Sequence, residues 1–539
     1  CRHSLPVQSG PEEHAHRPRR HLRRRHPQRR RRPGGRAGPF EVQPGRLPLR
    51  RDPHQLLPPA GGQNRRLQAA VAVHRHAGPA GGAPRRGRLH KEVREGTEAD
   101  EGAPGLRSTE LQASRPTCTA PTAPAPIGSS GYPDLELQVH ASWLFFPFHR
   151  YYLYFFERIL GSLLNDPTFG IPFWNWDAPG GMKFPAIYTD SSSSLYNPFR
   201  NESHFPPTLL DLNYGSKSAT QPSDADLIDS NLNVMYRQVV SSGKTAELFL
   251  GAPYRAGERA EPGQGCLENI PHTNVHIWCG DPNRKNKEDM GNFYSAGRDP
   301  VFYAHHANVD RMWDVWKSVG GKRKDFTDPD FLNASFLLYD EKQQLVRCKV
   351  RDCLDSSKLR FGYQQVDIPW LKSKPTPRKK KAVAVSVAVA VADRPGSAVA
   401  AEISGPSFPV KLKDVVALRV KRPELRRSEK QKEEAEEVLV VEGIEVDCSK
   451  FVKFDVYVND DEGAAQGPST SEFAGSYVNL PHQPEDNGQR TIRTRLKVGI
   501  TNLLEELEAE DDDSLLVALV PRDGGEYITV GGVKIEFLS

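Results

Sequence analysis

The chain has 539 residues and a formal net charge of +5 from 73 basic and 68 acidic side chains, and 37% of it is hydrophobic. That length exceeds one ordinary core and predicts two or three domains. No apolar run reaches the ~20 residues of a membrane span, the longest monotonous one being Ala382 to Ala392, and seven scattered cysteines make no disulfide framework.

Charge is distributed unevenly. The first 100 residues hold 22 arginines and one lysine, Lys91, whereas Glu505-Glu506-Leu-Glu508-Ala-Glu510-Asp511-Asp512-Asp513 near the other end is acidic. Residues 1–126 are rich in Arg, Pro, Gly, His and Ala without apolar periodicity, a composition that cannot bury a core and predicts disorder. A nucleic-acid arm should adjoin a folded module or an aromatic platform; neither is present, and no nucleic-acid partner is predicted. An organellar transit peptide is also Arg-rich and acid-poor, but this stretch is Ser-poor and too long.

From Gly131 the composition becomes globular. Ser142 to Gly161 is apolar and aromatic, with Pro147 inside it. His140 and His149 are nine residues apart, half a turn out of phase at helical pitch, so one straight helix cannot present both to one ion. The pattern predicts His149 on a helix running to Leu160, His140 on the segment before it, and Pro147 near the first turn, where its missing N–H costs little. Residues 181–235, rich in Ser, Asn, Pro and Asp, read as a long covering loop.

His272 and His276 are four residues apart and share one face if the backbone there is helical. His305-His306 opens a second helical stretch, Ala307 to Lys317, in which Val309, Met312, Trp313 and Trp316 recur at helical spacing. Imidazole-only ligation suits copper, zinc or iron, and the ligand types alone do not choose among them. Cys266 and Cys279 flank the first pair, and Cys348 and Cys353 sit close together; free buried thiols are the expected state of each. Residues 372–407, a basic run followed by an Ala/Val repeat, read as a linker. Beyond Phe408, period-two stretches such as Val438 to Val446, Lys453 to Val458 and Val530 to Phe537 predict antiparallel strands.

Three motifs carry a resemblance. Leu137-Gln-Val-His140-Ala-Ser-Trp143-Leu-Phe-Phe-Pro147-Phe-His149-Arg150, with Pro172-Phe-Trp174-Asn-Trp176-Asp177, resembles the first copper site of plant polyphenol oxidases, the catechol oxidase and tyrosinase family. Pro271-His272-Thr273-Asn-Val-His276-Ile-Trp278 and Asp299-Pro-Val-Phe-Tyr-Ala-His305-His306-Ala-Asn308-Val-Asp310-Arg311 resemble the second. Lys453-Phe-Asp-Val456 resembles the signature of the family's C-terminal domain. The resemblance implies a mainly α catalytic domain over 127–371, a four-helix bundle around a copper pair. It also implies a linker over 372–407 and an antiparallel β-sandwich over 408–539 that covers the copper site in the latent enzyme. The implied activity is oxidation of o-diphenols to o-quinones with O2 reduced to water, in the plastid, within the thylakoid lumen.

By motif, His140 and His149 belong to the first copper and His272, His276 and His306 to the second, the spacing from His272 favouring His306 over His305. Phe293 stands where the family places an aromatic gate over the second copper, against the plainer reading of a core Phe. Glu268 matches a glutamate credited with holding a water that helps deprotonate phenols, against an ordinary surface Glu. Thr273 replaces an Asn linked with monophenol hydroxylation in some relatives, which leans toward catechol oxidase. Asn308, Asp310 and Arg311 are expected to orient ligands and tie helices together.

One ligand is missing. The family's first copper ligand lies in a His-Cys-x-Tyr-Cys motif some twenty residues before the position of His140, where this chain reads Pro116-Thr-Cys118-Thr-Ala-Pro-Thr-Ala-Pro-Ala125. Codons exist for that stretch (CCA ACG TGC ACT GCG CCT ACT GCA CCG GCG) that, read two bases later, encode Asn-Val-His-Cys-Ala-Tyr-Cys-Thr-Gly. Residues before about Ile127 are therefore expected to be a frame-shifted translation, and an inactive chain with the fold retained is the alternative to an active oxidase. Translating the source transcript across codons 100 to 135 in all frames is expected to expose His-Cys-Ala-Tyr-Cys; a transcript without it removes the frame-shift reading.

Overall fold

The computed structural model describes residues 139–215, 222–255, 262–293, 295–375, 406–460, 467–481 and 491–539, with two short strands, Asn64–Arg66 and Gln68–Ala69. Those strands pair in parallel with Phe361–Tyr363 and Phe173–Trp174. The rest of the segment before Ile127, with the disorder expected there, lies outside the described residues, as does most of the 372–407 linker.

Four helices organise the first body. Helix α1, Phe145–Leu163, is buried along almost its whole length to Gly161, as befits a helix apolar on all sides. Pro147 sits in its first turn and His140 in the turn before it, as the histidine spacing requires. Helix α2, Asp224–Tyr236, corrects the expected covering loop over 181–235. Ser223 accepts a hydrogen bond from the Asp226 N–H as its N-cap, and Asn231, Val234, Met235 and Tyr236 turn inward. Its buried face hides behind a polar composition because Asn231 occupies a core position, receiving the Leu212 N–H at 2.8 Å and donating to the Leu210 carbonyl at 2.6 Å. Helix α3, Thr273–Cys279, is wholly buried. Helix α4, Pro300–Val319, has Asp299 as N-cap, Pro300 in its first turn and Gly320 beyond its end at φ 82°.

Buried ion pairs lock these helices together. Arg150 on α1 reaches Asp310 at 2.6 Å and Asp314 at 2.9 Å on α4, and donates to the Cys353 carbonyl at 3.0 Å. Arg200 meets Asp299 at 2.6 Å, both side chains fully buried. Cys266, Cys279, Cys348, Cys353 and Cys448 are free and buried.

The second body is a sandwich of two antiparallel sheets. Its strands are β1 Val410–Lys411, β2 Val416–Lys421, β3 Glu436–Asp447, β4 Val452–Val458, β5 Phe473–Asn479, β6 Thr491–Gly499, β7 Ser514–Asp523, β8 Ile528–Val530 and β9 Gly532–Leu538. One sheet runs β5-β4-β7-β2; the other runs β6-β3-β8-β1, with β9 also on β3. Leu439, Val441 and Ile444 of one sheet meet Phe454, Val456 and Val517 of the other in a common core, as aligned sheets do.

Alternation breaks down at β4 and β5, where every residue is buried. The outer face of this sheet is pressed against the helical body, so its polar positions are buried too. Lys453 donates to the Asn213 carbonyl at 2.6 Å and lies 3.4 Å from Asp455, which also holds Arg522 at 2.6 Å and accepts from the Ser476 hydroxyl at 2.5 Å. Asn269, in the segment before α3, grips β5 at two points, donating to the Ser476 carbonyl and accepting the Val478 N–H at 3.0 Å. Arg237 pairs with Glu506 at 2.5 Å.

Removing one partner of a buried pair leaves the other charge unpaired, at about 3–5 kcal/mol. Lys453→Met is therefore expected to lower unfolding free energy by about that amount in urea titration. Lys534→Met, at a half-exposed pair with Glu442, is expected to cost under about 1 kcal/mol.

Candidate metal centre

The histidines singled out by motif come together at the centre of the helical body. His149 lies one turn into α1, His272 opens α3 with His276 one turn later, and His305 and His306 project from α4. Ring centroids of His272 and His276 are 4.7 Å apart, His272 and His306 4.9 Å, His149 and His306 4.4 Å, and His140 and His149 5.1 Å. Nε2 of His276 stands 3.1 Å from Nε2 of His306. Ligand atoms of His272, His276, His305 and His306 all lie within 4.8 Å of one another. Among the described residues that is the only such group of His, Cys, Asp or Glu, and it includes neither His140 nor His149.

Hydrogen bonding sets how these rings face. Nδ1–H of His149 donates to the Phe145 carbonyl at 2.7 Å, that of His272 to Glu268 at 2.9 Å and that of His276 to Met290 at 3.0 Å. A neutral imidazole carries one N–H, so each of these rings turns an Nε2 lone pair toward the pocket. Burial keeps them neutral: it pushes His149 down to about 3 and His276 to about 4, and holds His272, His305 and His306 well below the usual imidazole value. Unprotonated, converging nitrogens in a dry pocket fit a transition-metal ion.

The surrounding frame fixes the rings. Asp177 accepts from the Asn308 amide at 2.9 Å, the Arg311 guanidinium at 3.0 Å and the Trp370 indole at 2.9 Å. It thereby joins α4 to the Phe173–Trp176 segment and to the turn Pro369–Lys372. Asp310 ties α4 to α1 through Arg150 and also receives the Tyr363 hydroxyl, whereas Asn308 and Arg311 tie α4 to Asp177 in a non-helical segment.

Residues 106–319 match the family model for the common central domain of tyrosinase. Residues 325–376 match that for the polyphenol oxidase middle domain, and 408–537 that for the chloroplastic polyphenol oxidase C-terminal domain. A chloroplastic polyphenol oxidase of Malus domestica is 55% identical over 416 residues, 76% of this chain and 69% of its own length. One of Vitis vinifera is 53% identical over 422 residues, covering 76% and 67%. The structure of latent apple tyrosinase superposes with a TM-score of 0.77 at 48% identity, covering 89% of this chain and 98% of that one.

The chain belongs to the plant polyphenol oxidases. It is an oxidoreductase with a type 3 copper domain, and its histidine cluster is suited to copper-dependent oxidation of phenols.

Around the centre of this polyphenol oxidase, Glu268 is buried, and its Oε1 accepts the Ala141 N–H at 2.7 Å next to His140. Burial pushes its carboxyl well above the usual range, and Oε2 has no partner among the described residues. A surface glutamate is thereby ruled out. The Thr273 hydroxyl donates to the Glu268 carbonyl at 3.0 Å. Phe293 packs edge-on to His140, a ring assigned by motif to the first copper, at 4.7 Å between centroids. Its other face joins Ile277 and Leu480, the latter from the sandwich.

Two participants have no signal in the histidine spacing. Trp176 donates its indole N–H to Nδ1 of His305 at 3.1 Å, and Leu480 belongs to a loop far along the chain. Trp176 is visible in sequence only as part of a tryptophan-dense motif; Leu480 has no sequence mark.

His276→Ala is expected to weaken copper binding by more than the about 10–100-fold that loss of a supporting group costs, read by chelator competition. Phe293→Leu is expected to leave that affinity unchanged.

Proposed function

We propose that this polyphenol oxidase fold serves the oxidation of o-diphenols to o-quinones, with His272, His276 and His306 holding one copper and His140 and His149 two of three ligands of the other. Each diphenol gives up two electrons and two protons, and two diphenols reduce one O2 to two waters. A copper pair, when bound, supplies the paired electron transfer that avoids radical release.

The chain's own residues prepare that step. The Nδ1 bonds of His149, His272 and His276 aim lone pairs inward. The apolar wall of Phe145, Phe302 and Phe293 excludes water and takes a flat ring. Glu268, buried beside His140 with its Oε2 unbonded among the described residues, is the group that holds a water to help deprotonate the phenol. Thr273, its hydroxyl committed to the Glu268 carbonyl, presents no side-chain amide, in keeping with diphenol rather than monophenol oxidation. Leu480 on Phe293 supports a latent state in which the sandwich closes the mouth. The relatives' chloroplastic names support a plastid location.

The observation that carries this reading is the buried convergence of His272, His276 and His306. The inactive alternative is favoured by another: the one group of three or more candidate ligands among the described residues includes neither His140 nor His149. The frame-shift reading accounts for the absence. The chain as written is therefore expected to hold closer to one copper than two and to oxidise catechol poorly. Restoring His-Cys-Ala-Tyr-Cys is expected to bring the second copper and the activity. Metal analysis and oxygen uptake on both chains decide it: two coppers and full activity in the chain as written would show that another residue completes the site.

A further inference from the structure

Proximity alone would make His305 a fourth ligand of the second copper. Its ring lies nearly parallel to that of His272, at 5.3 Å between centroids and 17° between planes, and its ligand atom falls within the same 4.8 Å group as His272, His276 and His306. Its hydrogen bonding has the opposite polarity to that of His272 and His276. His272 and His276 donate from Nδ1 and keep a lone pair on Nε2, whereas Nδ1 of His305 accepts, from an indole that can only donate. A neutral imidazole that accepts at Nδ1 carries its proton on Nε2, and an N–H nitrogen has no lone pair for a metal.

We propose that Trp176 is a positioning residue of the second copper site, holding His305 in the Nε2–H tautomer and so outside the ligand set. The donor is well anchored. Trp176 and His305 are fully buried, and the neighbouring Asp177 is bound by Asn308, Arg311 and Trp370, so the indole cannot swing away without breaking that frame. That leaves His272, His276 and His306 as the three imidazoles that would hold the ion. This inference rests on the copper reading of the cluster, but not on the frame-shift or on the diphenol as substrate.

Two measurements test it on the full chain. With histidine labelled by nitrogen-15 and no metal present, NMR is expected to show His305 protonated at Nε2, and His149, His272 and His276 protonated at Nδ1. His305 protonated at Nδ1 would overturn the proposal without any substitution. With one equivalent of Cu(II), pulsed EPR counts the coordinated imidazoles through their remote nitrogens. Three are expected in the unsubstituted chain, four in Trp176→Phe, which keeps an aromatic ring but has no donor, and three again in Trp176→Phe with His305→Ala. Four imidazoles in the unsubstituted chain, or three in a Trp176→Phe chain whose thermal unfolding midpoint is preserved, would overturn it. Failure to bind Cu(II) in the unsubstituted chain would instead count against the copper reading itself.

Discussion

Everything in this molecule is arranged around the cost of keeping imidazoles neutral, dry and pointed at one another. Transferring polar rings from water into an apolar pocket is unfavourable unless each finds a partner, and here the partners do two jobs. A backbone carbonyl accepts Nδ1–H of His149, His272 and His276, which offsets part of the desolvation and decides which nitrogen keeps its lone pair. Two of those carbonyls, from Phe145 and Glu268, lie four residues before the ring they serve. For His149 local helical geometry supplies the orienting bond, whereas for His272 it comes from a kinked segment in which Ile270 is extended at φ −137° and ψ 130°; neither ring can turn without breaking its bond.

A pocket of this kind needs rigid walls, and the walls are held by charges that would be liabilities elsewhere. Arg150 with Asp310, Arg200 with Asp299 and Arg311 with Asp177 are all nearly or fully out of solvent. Buried ion pairs often contribute little net stability over apolar substitutes, so their value here lies in geometry. Each joins segments distant in sequence: Arg150 fixes α1 against α4, while Arg200 and Asp177 fix two non-helical segments against the start and the middle of α4. Arg150 also lies over the Trp313 ring at 4.2 Å, which adds a cation–π contact to the same junction. The large aromatic side chains then fill the space between helices at fixed angles.

The sandwich takes part in the same arrangement. Its β5 strand is gripped through backbone groups by Asn269, a residue between Glu268 and His272, and Leu480 just beyond β5 rests on Phe293. Contacts to the metal segment and to the aromatic side chain over His140 therefore come from one short stretch of the second body. The doubly buried sheet explains how a strand can carry Lys453 and Asp455 at its outward positions and still be shut off from water: the charges neutralise each other along the strand, and Lys453 uses the Asn213 carbonyl of the helical body as its second anchor.

Much of the centre was legible in the chain itself. The four-residue spacing of His272 and His276, the phase mismatch of His140 and His149, and Pro147 in the first turn are local matters of helical pitch, and local periodicity determines them. The strands beyond Phe408 were legible from their own period of two. Helix α2 was not, because its inward face includes Asn231, whose burial depends on carbonyl and amide groups of a loop some twenty residues away. The environment of Phe293 and the burial of Glu268 likewise depend on chain segments that only folding brings near. The roles of the adjacent histidines, His305 and His306, show the division most sharply. Sequence places two identical side chains next to each other on one helix; only the tertiary structure brings the Trp176 indole to one of them and Nε2 of His276 to the other. A hydrogen bond from a distant segment thus separates two residues that local chemistry makes equivalent.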